Sequence, residues 1–398
     1  MDVCRRAIDC IADMTGRHVF ANASGIRHGR VVCGQVFFCG RASGDVCFSG
    51  GGEILFGVRL GIMPVILARV KESSVSMPCL FDLKSDSVRA VLGCLLKDRT
   101  TGGNIIFATD AYDGFGFSTQ MTKDMLLDGG VDIMPRVEKS LEEQAMRQRR
   151  KAEVFTPSWI CNAMNNHCDE EWFGRANVFN VEHGSEEDGH YWTPTRKRIP
   201  FPKGKSWMDY VLSTRLEITC GEAPYLVSRY DTVTGKAIPI RSRIGMLDRK
   251  LRVIDENART RRTWNQWAYK AFESVYGYEY QGDNLLLARI NLLETFREYT
   301  RRRWHDEPSA SSLKRIADII SWNIWQMDGL HYVIPYQRDD GSDGSERIDD
   351  EYLELASRDT LFDLLDIEDE SAGDMPKACR IYDWDEDRSI TFRSLLEA

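Results

Sequence analysis

A strand that ends in an acid and passes through a short turn into a helix can hold a sugar diol. Val275 to Arg289 (VYGYEYQGDNLLLAR) has this form, with Glu279 at the strand end. A carboxylate there can accept both hydroxyls of a ribose, and Tyr280 would lie against an adenine face. A strand-end carboxylate simply facing water fits the same pattern. Leu216 to Leu226 (LEITCGEAPYL) is an apolar strand running into Cys220, Gly221, Glu222, Ala223 and Pro224. Glycine lets a ligand approach the backbone closely, and ligands of open α/β sheets bind beyond the carboxyl ends of the strands. A plain turn is the alternative. In Ile319 to Leu330 (IISWNIWQMDGL) an apolar strand leads to Asn323 and then Asp328. That acid would accept from an adenine amino group, or close a turn before Gly329. In Glu153 to Ile160 (EVFTPSWI), Thr156-Pro157 opens a helix and places an N-cap hydroxyl beside free backbone N–H groups. Such a start can hold a carboxylate, or is an ordinary capped helix. There is no GxGxxG and no GxxxxGK[ST], which argues against a standard dinucleotide fingerprint and against a P-loop nucleotidase.

The elements that must position these residues follow from periodicity. Ser85 to Leu96 and Thr263 to Ser274 have helical spacing, and Gly282 to Tyr299 is a strong helix. Asn104 to Thr109 (NIIFAT), Leu216 to Cys220 and Tyr276 to Tyr280 are expected as strands. Arg136 to Val154 is expected as one charged helix, acids first and bases last, which suits the helix dipole. Its cluster Arg147, Arg149, Arg150 and Lys151 could meet DNA phosphate or end as a solvated helix turn. A further helix follows Pro157, and Asn177 to Pro202 is a loop or hairpin. From Pro202 onward strands alternate with helices, which argues for a parallel α/β sheet. The last residues predict a hairpin: RIYDW, a turn at DEDR, then SITFRSL.

The chain has 398 residues, 42% hydrophobic and 28% charged, ordinary for a globular protein of about two to three domains. Its apolar runs fall far short of the roughly 20 residues of a membrane helix. The N-terminus lacks the continuous apolar segment of a secretory signal, so the expected location is cytoplasmic. A net charge of −9 argues against a non-specific nucleic-acid coat but not against local DNA contacts. Eleven cysteines with no CxxC pair point to free thiols rather than disulfides or structural zinc. Residues 1–80 hold six of these cysteines, dense glycine and few acids. They are either a small β-rich domain or upstream DNA translated from a start codon placed too early. The remainder divides into an α/β region with the basic helix (81–150), a binding core (151–336), and an acidic insertion with the terminal hairpin (337–398).

Together the four segments resemble the adenine-N6 DNA methyltransferases of restriction–modification systems. The resemblance implies an α/β, Rossmann-like core dependent on S-adenosylmethionine, incomplete at its C-terminus and carrying N-terminal additions. Thr156 and Pro157 match the family's Thr-Pro motif at the methionine end of the cofactor. Cys220, Gly221, Glu222, Ala223 and Pro224 match the cofactor loop, Glu279 the ribose-binding acid, and Asp328 the acid that reads the adenine. Tyr280 follows the ribose acid. These enzymes also use an Asn/Asp-Pro-Pro-Tyr/Phe tetrapeptide, and no Pro-Pro pair occurs in the chain. No catalytic residue is therefore assigned. The sequence looks as if it stops before the catalytic strand, and the expected partners are DNA, a second chain supplying that strand and the target-recognition domain, and a restriction endonuclease subunit. The alternatives are a non-catalytic regulatory or specificity module of the same fold, and a nuclease-bearing restriction subunit. The latter needs acids and a lysine on a strand pair, and residues 81–150 offer no convincing set.

Overall fold

Three parallel strands run through the middle of the chain, and the sequence explains why they are buried. The computed structural model describes residues 37–39, 82–140, 142–145, 147, 156–185, 189–335 and 377–395. Strand β1 (Phe37–Cys39) precedes helices α1 (Asp86–Leu95), α2 (Lys123–Leu127) and α3 (Ser158–Phe173). A hairpin follows, β2 (Asn180–His183) with β3 (Tyr191–Pro194), then α4 (Trp207–Leu212) and β4 (Arg215–Glu217). Helices α5 (Met246–Asn257) and α6 (Arg261–Glu273) lead to β5 (Val275–Glu279). Helices α7 (Gly282–Trp304) and α8 (Ala310–Asn323) lead to β6 (Ile324–Gln326), and β7 (Arg380–Asp383) and β8 (Arg388–Thr391) form a second hairpin. The sheet order is β1-β4-β5-β6, with β4, β5 and β6 parallel and β1 antiparallel at the β4 edge. The protein is thus a mixed α/β fold with a three-stranded parallel sheet.

Every residue of β4, β5 and β6 is buried, as in parallel strands covered on both faces. Alternation sorts their side chains. Val275 and Ile324 join the cluster built by the α-helices, whereas Leu216, Tyr276, Tyr278, Trp325 and Met327 pack with Ile381 and Phe392 of the β7–β8 region. Helices therefore cover one face and the hairpin covers the other.

Helix ends follow local chemistry. Ser206 and Asp209 form a reciprocal capping box on α4. Helix α7 starts with Asp283 and ends with Arg301, Arg302 and Arg303, complementing its dipole. Arg289, fully buried on α7, donates to Leu95 O, Lys97 O and Ile324 O, tying the end of α1 to the start of β6.

Four expectations need correction. Asn104 to Thr109 makes only isolated bridges, at Lys97–Asn104 and Ile106–Gln120, and does not join the sheet. The expected helix over 136–154 does not start as one: Arg136–Glu138 form a 3-10 turn, and helical residues follow at 142–145 and 147, with 148–154 outside the described residues. The run before Asn323 is the end of helix α8, not a strand. Leu313, Ile316, Ala317 and Ile320 are its buried stripe, with Ser309 as N-cap, and the strand occupies Ile324–Gln326. Asn323 consequently sits at the amino end of the sheet, donating to Phe272 O, Glu273 O and Val275 O. Strand β4 ends at Glu217, and Cys220 already belongs to the loop. The questions raised over residues 1–80, apart from 37–39, and over the acidic insertion lie outside the described residues.

Candidate functional site

Beyond β4 the backbone turns sharply. Thr219, Gly221 and Ala223 have φ of 48°, 52° and 62°. Left-handed backbone is unfavourable for Thr and Ala, so the surroundings must hold it. They do. Cys220 N–H extends the ladder to Tyr278 O at 2.8 Å, and Ala223 N–H closes a turn onto Cys220 O at 2.7 Å. The Glu217 carboxylate accepts from Leu226 N–H at 3.1 Å and Tyr225 N–H at 3.4 Å, fixing the far side of the loop. Burial pushes the Glu217 carboxyl well above its ordinary range, against the pull of those two N–H groups.

This loop delivers Gly221 to the neighbouring strand end. Gly221 N–H donates to Glu279 Oε2 at 2.8 Å, and Gln281 N–H donates to Oε1 at 3.2 Å. Gly277 on β5 permits the approach, since a Cβ there would stand 3.3 Å from Cys220 Sγ. The Cys220 thiol is fully buried and its pKa is raised by burial, so it is no nucleophile.

Asp328 lies on the third strand end. Glu279 is in register with Gln326, and Asp328 follows two residues on. Trp325 and Met327 point into the hairpin-side cluster, so alternation puts Gln326 and Asp328 on the same side as Glu279. Asp328 Oδ1 accepts from Leu330 N–H at 2.8 Å and His331 N–H at 3.3 Å, and Oδ2 lies 2.9 Å from His331 Nδ1. It closes a turn, one of the two roles expected of it. The bond to Asp328 raises the His331 pKa above its ordinary 6.5, while burial opposes the rise. A raised histidine pKa stabilises below the unfolded value and loses that contribution as pH rises through the folded one. The thermal midpoint of the native chain should therefore exceed that of His331→Ala at pH 6, with the gap narrowing as pH rises above 6.5. A pH-independent gap would rule out the ion pair.

Gln326, Lys139, Arg147 and Asp283 complete this end of the sheet, and none was anticipated as part of it. The Gln326 side chain grips the backbone of Ile106, accepting from its N–H at 2.9 Å and donating to its carbonyl at 3.0 Å. Gly282 N–H donates to Phe107 O at 2.9 Å. Residues Ile105–Ala108 thus lie across the carboxyl ends of β5 and β6. Beside them, fully buried Asp283 meets Arg147 Nη2 at 2.8 Å, Lys139 Nζ at 3.6 Å and Tyr112 OH at 3.0 Å. Burial alone would raise the Asp283 carboxyl, but Lys139 and Arg147 outweigh it and hold it below its ordinary range. Arg147 is only 3% exposed, so at this residue neither reading of the basic cluster holds: it faces neither phosphate nor solvent. Arg149, Arg150 and Lys151 lie outside the described residues. The sequence signal for the cover was weak: Gly-Asp-Asn opening α7 marks a tight place without naming its partner.

The remaining candidates are placed as follows. The N-cap of α3 is Pro157, with no side-chain cap from Thr156. The helix start does hold a carboxylate, but it is the protein's own: Ser158 N–H donates to Asp231 Oδ2 at 2.9 Å. Thr156 O accepts from Thr232 Oγ1 at 3.1 Å, which ties this segment to the chain beyond the β4 loop. Glu222 is 1% exposed and turned inward, accepting from Arg136 N–H at 2.8 Å and from Tyr230 OH. Ala223 and Pro224 are buried. Tyr280 is half-buried, and its carbonyl accepts from Gln326 Nε2 at 2.8 Å. The structure therefore brings Gly221 and Glu279 into contact and sets Asp328 on the adjoining strand end, while Thr156 contacts the region after the loop. In this structure Gly221 N–H and the Glu279 and Asp328 carboxylates bond to one another or to neighbouring backbone and His331.

Among the described residues no cluster of His, Cys, Asp and Glu could hold a metal ion, and no helix is long and apolar enough to cross a membrane. No protein-family model, curated protein or solved structure matches the chain.

Proposed function

We propose that the chain is the cofactor-binding part of an adenine-N6 DNA methyltransferase, with a Rossmann-like core that takes S-adenosylmethionine. The observation that supports this reading is the 2.8 Å bond from Gly221 N–H to Glu279 at the carboxyl ends of adjacent parallel strands, with Asp328 beyond the next. Ligands of open α/β sheets bind at such ends. The acceptors suit a nucleoside: Glu279 for the ribose hydroxyls and Asp328 for an adenine amino group. Within the chain these carboxylates are already satisfied, and both are under 10% exposed, at 7% and 6%. A ribose would have to replace the Gly221 bond, and the Ile105–Ala108 segment would have to withdraw.

Bound S-adenosylmethionine supplies an electrophilic methyl group, which would pass to adenine N6 after the base is flipped from DNA. The residues of this chain would bind and orient the cofactor and keep water out. The tetrapeptide that holds the target amino group in these enzymes is absent from the 398 residues. The fourth strand of a doubly wound sheet lies beside the first, which here is the β4 edge paired with Phe37–Cys39. The reading therefore needs a strand from a further segment or a second chain at that edge.

The chain alone is expected to bind S-adenosylmethionine weakly in equilibrium dialysis and to transfer no methyl group to DNA. Each missing preorganised contact costs on the order of 100- to 1000-fold in rate. Glu279→Ala should abolish the binding, with Glu279→Gln as a variant that keeps an acceptor for Gly221. Native affinity in both variants would remove Glu279 from the site. Labelled methyl transfer above a no-protein control would show that the catalytic strand is misplaced. The covered strand ends favour a second reading, a non-catalytic module of the same fold, and that reading expects no cofactor binding at all.

A further inference from the structure

Three short runs of the chain carry bases and no acid: residues 193–205 with five, 257–263 with three and 299–305 with three. The fold brings them together. Arg198 donates to Asn257 Oδ1, and Arg303 Nη2 donates to Ala258 O at 3.2 Å. The segment after β3, the connection from α5 to α6 and the end of α7 therefore meet. Flanking acids neutralise part of this charge: Asp306 pairs with Arg261 at 2.6 Å, Glu307 pairs with Arg301, and Asp255 lies 3.9 Å from Arg302. Arg196, Lys197, Arg198, Arg259 and Arg262 stay exposed, and none of them makes an ion pair among the described residues. Such a patch on a chain of net charge −9 is the electrostatic footprint of a polyanion. The backbone that displays Arg196–Arg198 is fixed. Arg252 donates to Phe179 O at 3.0 Å and Thr195 O at 2.7 Å, and Ile199 N–H donates to Glu256 Oε2 at 2.8 Å. A surface held in place beforehand loses less freedom on binding.

We propose that this surface binds the phosphate backbone of duplex DNA, at a place remote from the nucleoside pocket. Helix α7 starts at the strand ends and runs 23 residues, which puts Arg303 about 30 Å from Gly282. The chemistry of the patch selects the partner. None of the exposed large apolar side chains of the described residues falls in the three runs. A membrane surface needs apolar side chains to insert, and the core of a protein interface is apolar. Four of the five exposed bases are arginines, whose planar fork suits phosphate oxygens. The contact would hold the duplex without reading its sequence. That the polyanion is DNA rests on the methyltransferase reading, whereas the phosphate contact does not need it.

Fluorescence anisotropy on the full chain tests it, with a short labelled DNA duplex of mixed sequence. Binding should be saturable and fall steeply between about 50 and 200 mM salt, as phosphate contacts release counterions. A variant combining Arg196→Gln, Lys197→Gln and Arg259→Gln should bind about tenfold or more weakly, and the slope of log K against log salt should drop by about one per base removed. A control combining Lys84→Gln, Arg89→Gln and Lys236→Gln removes the same charge from exposed positions elsewhere and should bind as the native chain does. All of these side chains are exposed, where substitutions seldom unfold a protein. S-adenosylmethionine binding in equilibrium dialysis should be the same in the patch variant and the native chain, which separates this surface from the Glu279 site. The proposal is overturned if the native chain shows no saturable binding, if the patch variant keeps the native affinity and salt slope, or if the control is weakened as much as the patch variant. Tighter binding of phosphatidylserine vesicles or of duplex RNA than of the DNA would overturn it as well.

Discussion

Asp169→Ala is expected to cost about 3–5 kcal/mol of folding stability, the typical loss when one partner of a buried ion pair is removed. Asp169 on α3 is 1% exposed. Its Oδ2 lies 2.5 Å from Arg249 Nη1, and its Oδ1 accepts from Tyr210 OH at 2.8 Å. Arg215 Nη2 stands 3.9 Å away, and neither arginine is more than 1% exposed. Arg249 also donates to Ile244 O at 2.9 Å and Asn162 Oδ1 at 3.0 Å, so the network joins α3, α5 and the first residue of β4. Removing the carboxylate leaves two guanidinium groups in a dry interior that water cannot reach. Domains are typically stable by about 5–15 kcal/mol, so the loss is a large share of the whole. Urea unfolding measures it, and a change below about 1 kcal/mol would show that the arginines find other acceptors.

Gly282→Ala should cost about 3 kcal/mol, the upper range for forcing atoms into a packed interior. A Cβ at this position would stand 1.9 Å from Ile106 O and 3.0 Å from Met121 Cε. The first is backbone and cannot rotate away. Helix α7 is anchored by 17 buried residues, so Ile105–Ala108 is the part that should yield. Limited proteolysis should then cut near Ile106 faster than in the native chain. Gln326→Ala removes both hydrogen bonds to Ile106 without adding an atom and should loosen the same segment less. An unchanged thermal midpoint together with unchanged cleavage would mean that α7 shifts instead.

Particular residues show how far the amino-acid sequence reached. The turn from Glu279 into Gly282–Trp304 was legible because an acid-ended apolar strand, a glycine and a long apolar-periodic helix are each local signals. The end of α8 was not. IISWNIWQ is apolar under both periods, and a run of that kind does not separate strand from buried helix. The stripe Leu313, Ile316, Ala317 and Ile320, together with the Ser309 cap, favours helix up to Asn323. Arg147 was misleading for a different reason. A run of bases suggests a solvated surface, but Asp283, 136 positions away, pulls this one inside.

The sequence by itself determined the alternation of strands and helices, the parallel sheet that alternation implies, and the acids and glycine at its strand ends. These rest on periodicity and turn chemistry within a few residues. Only the tertiary structure decided that Gly221 reaches Glu279, that Asp231 rather than a ligand occupies the start of α3, and that Ile105–Ala108 lies over the strand ends. Each depends on groups brought together from distant parts of the chain. Their pairing follows from burial and from the need to satisfy polar groups in the interior, which no local pattern records.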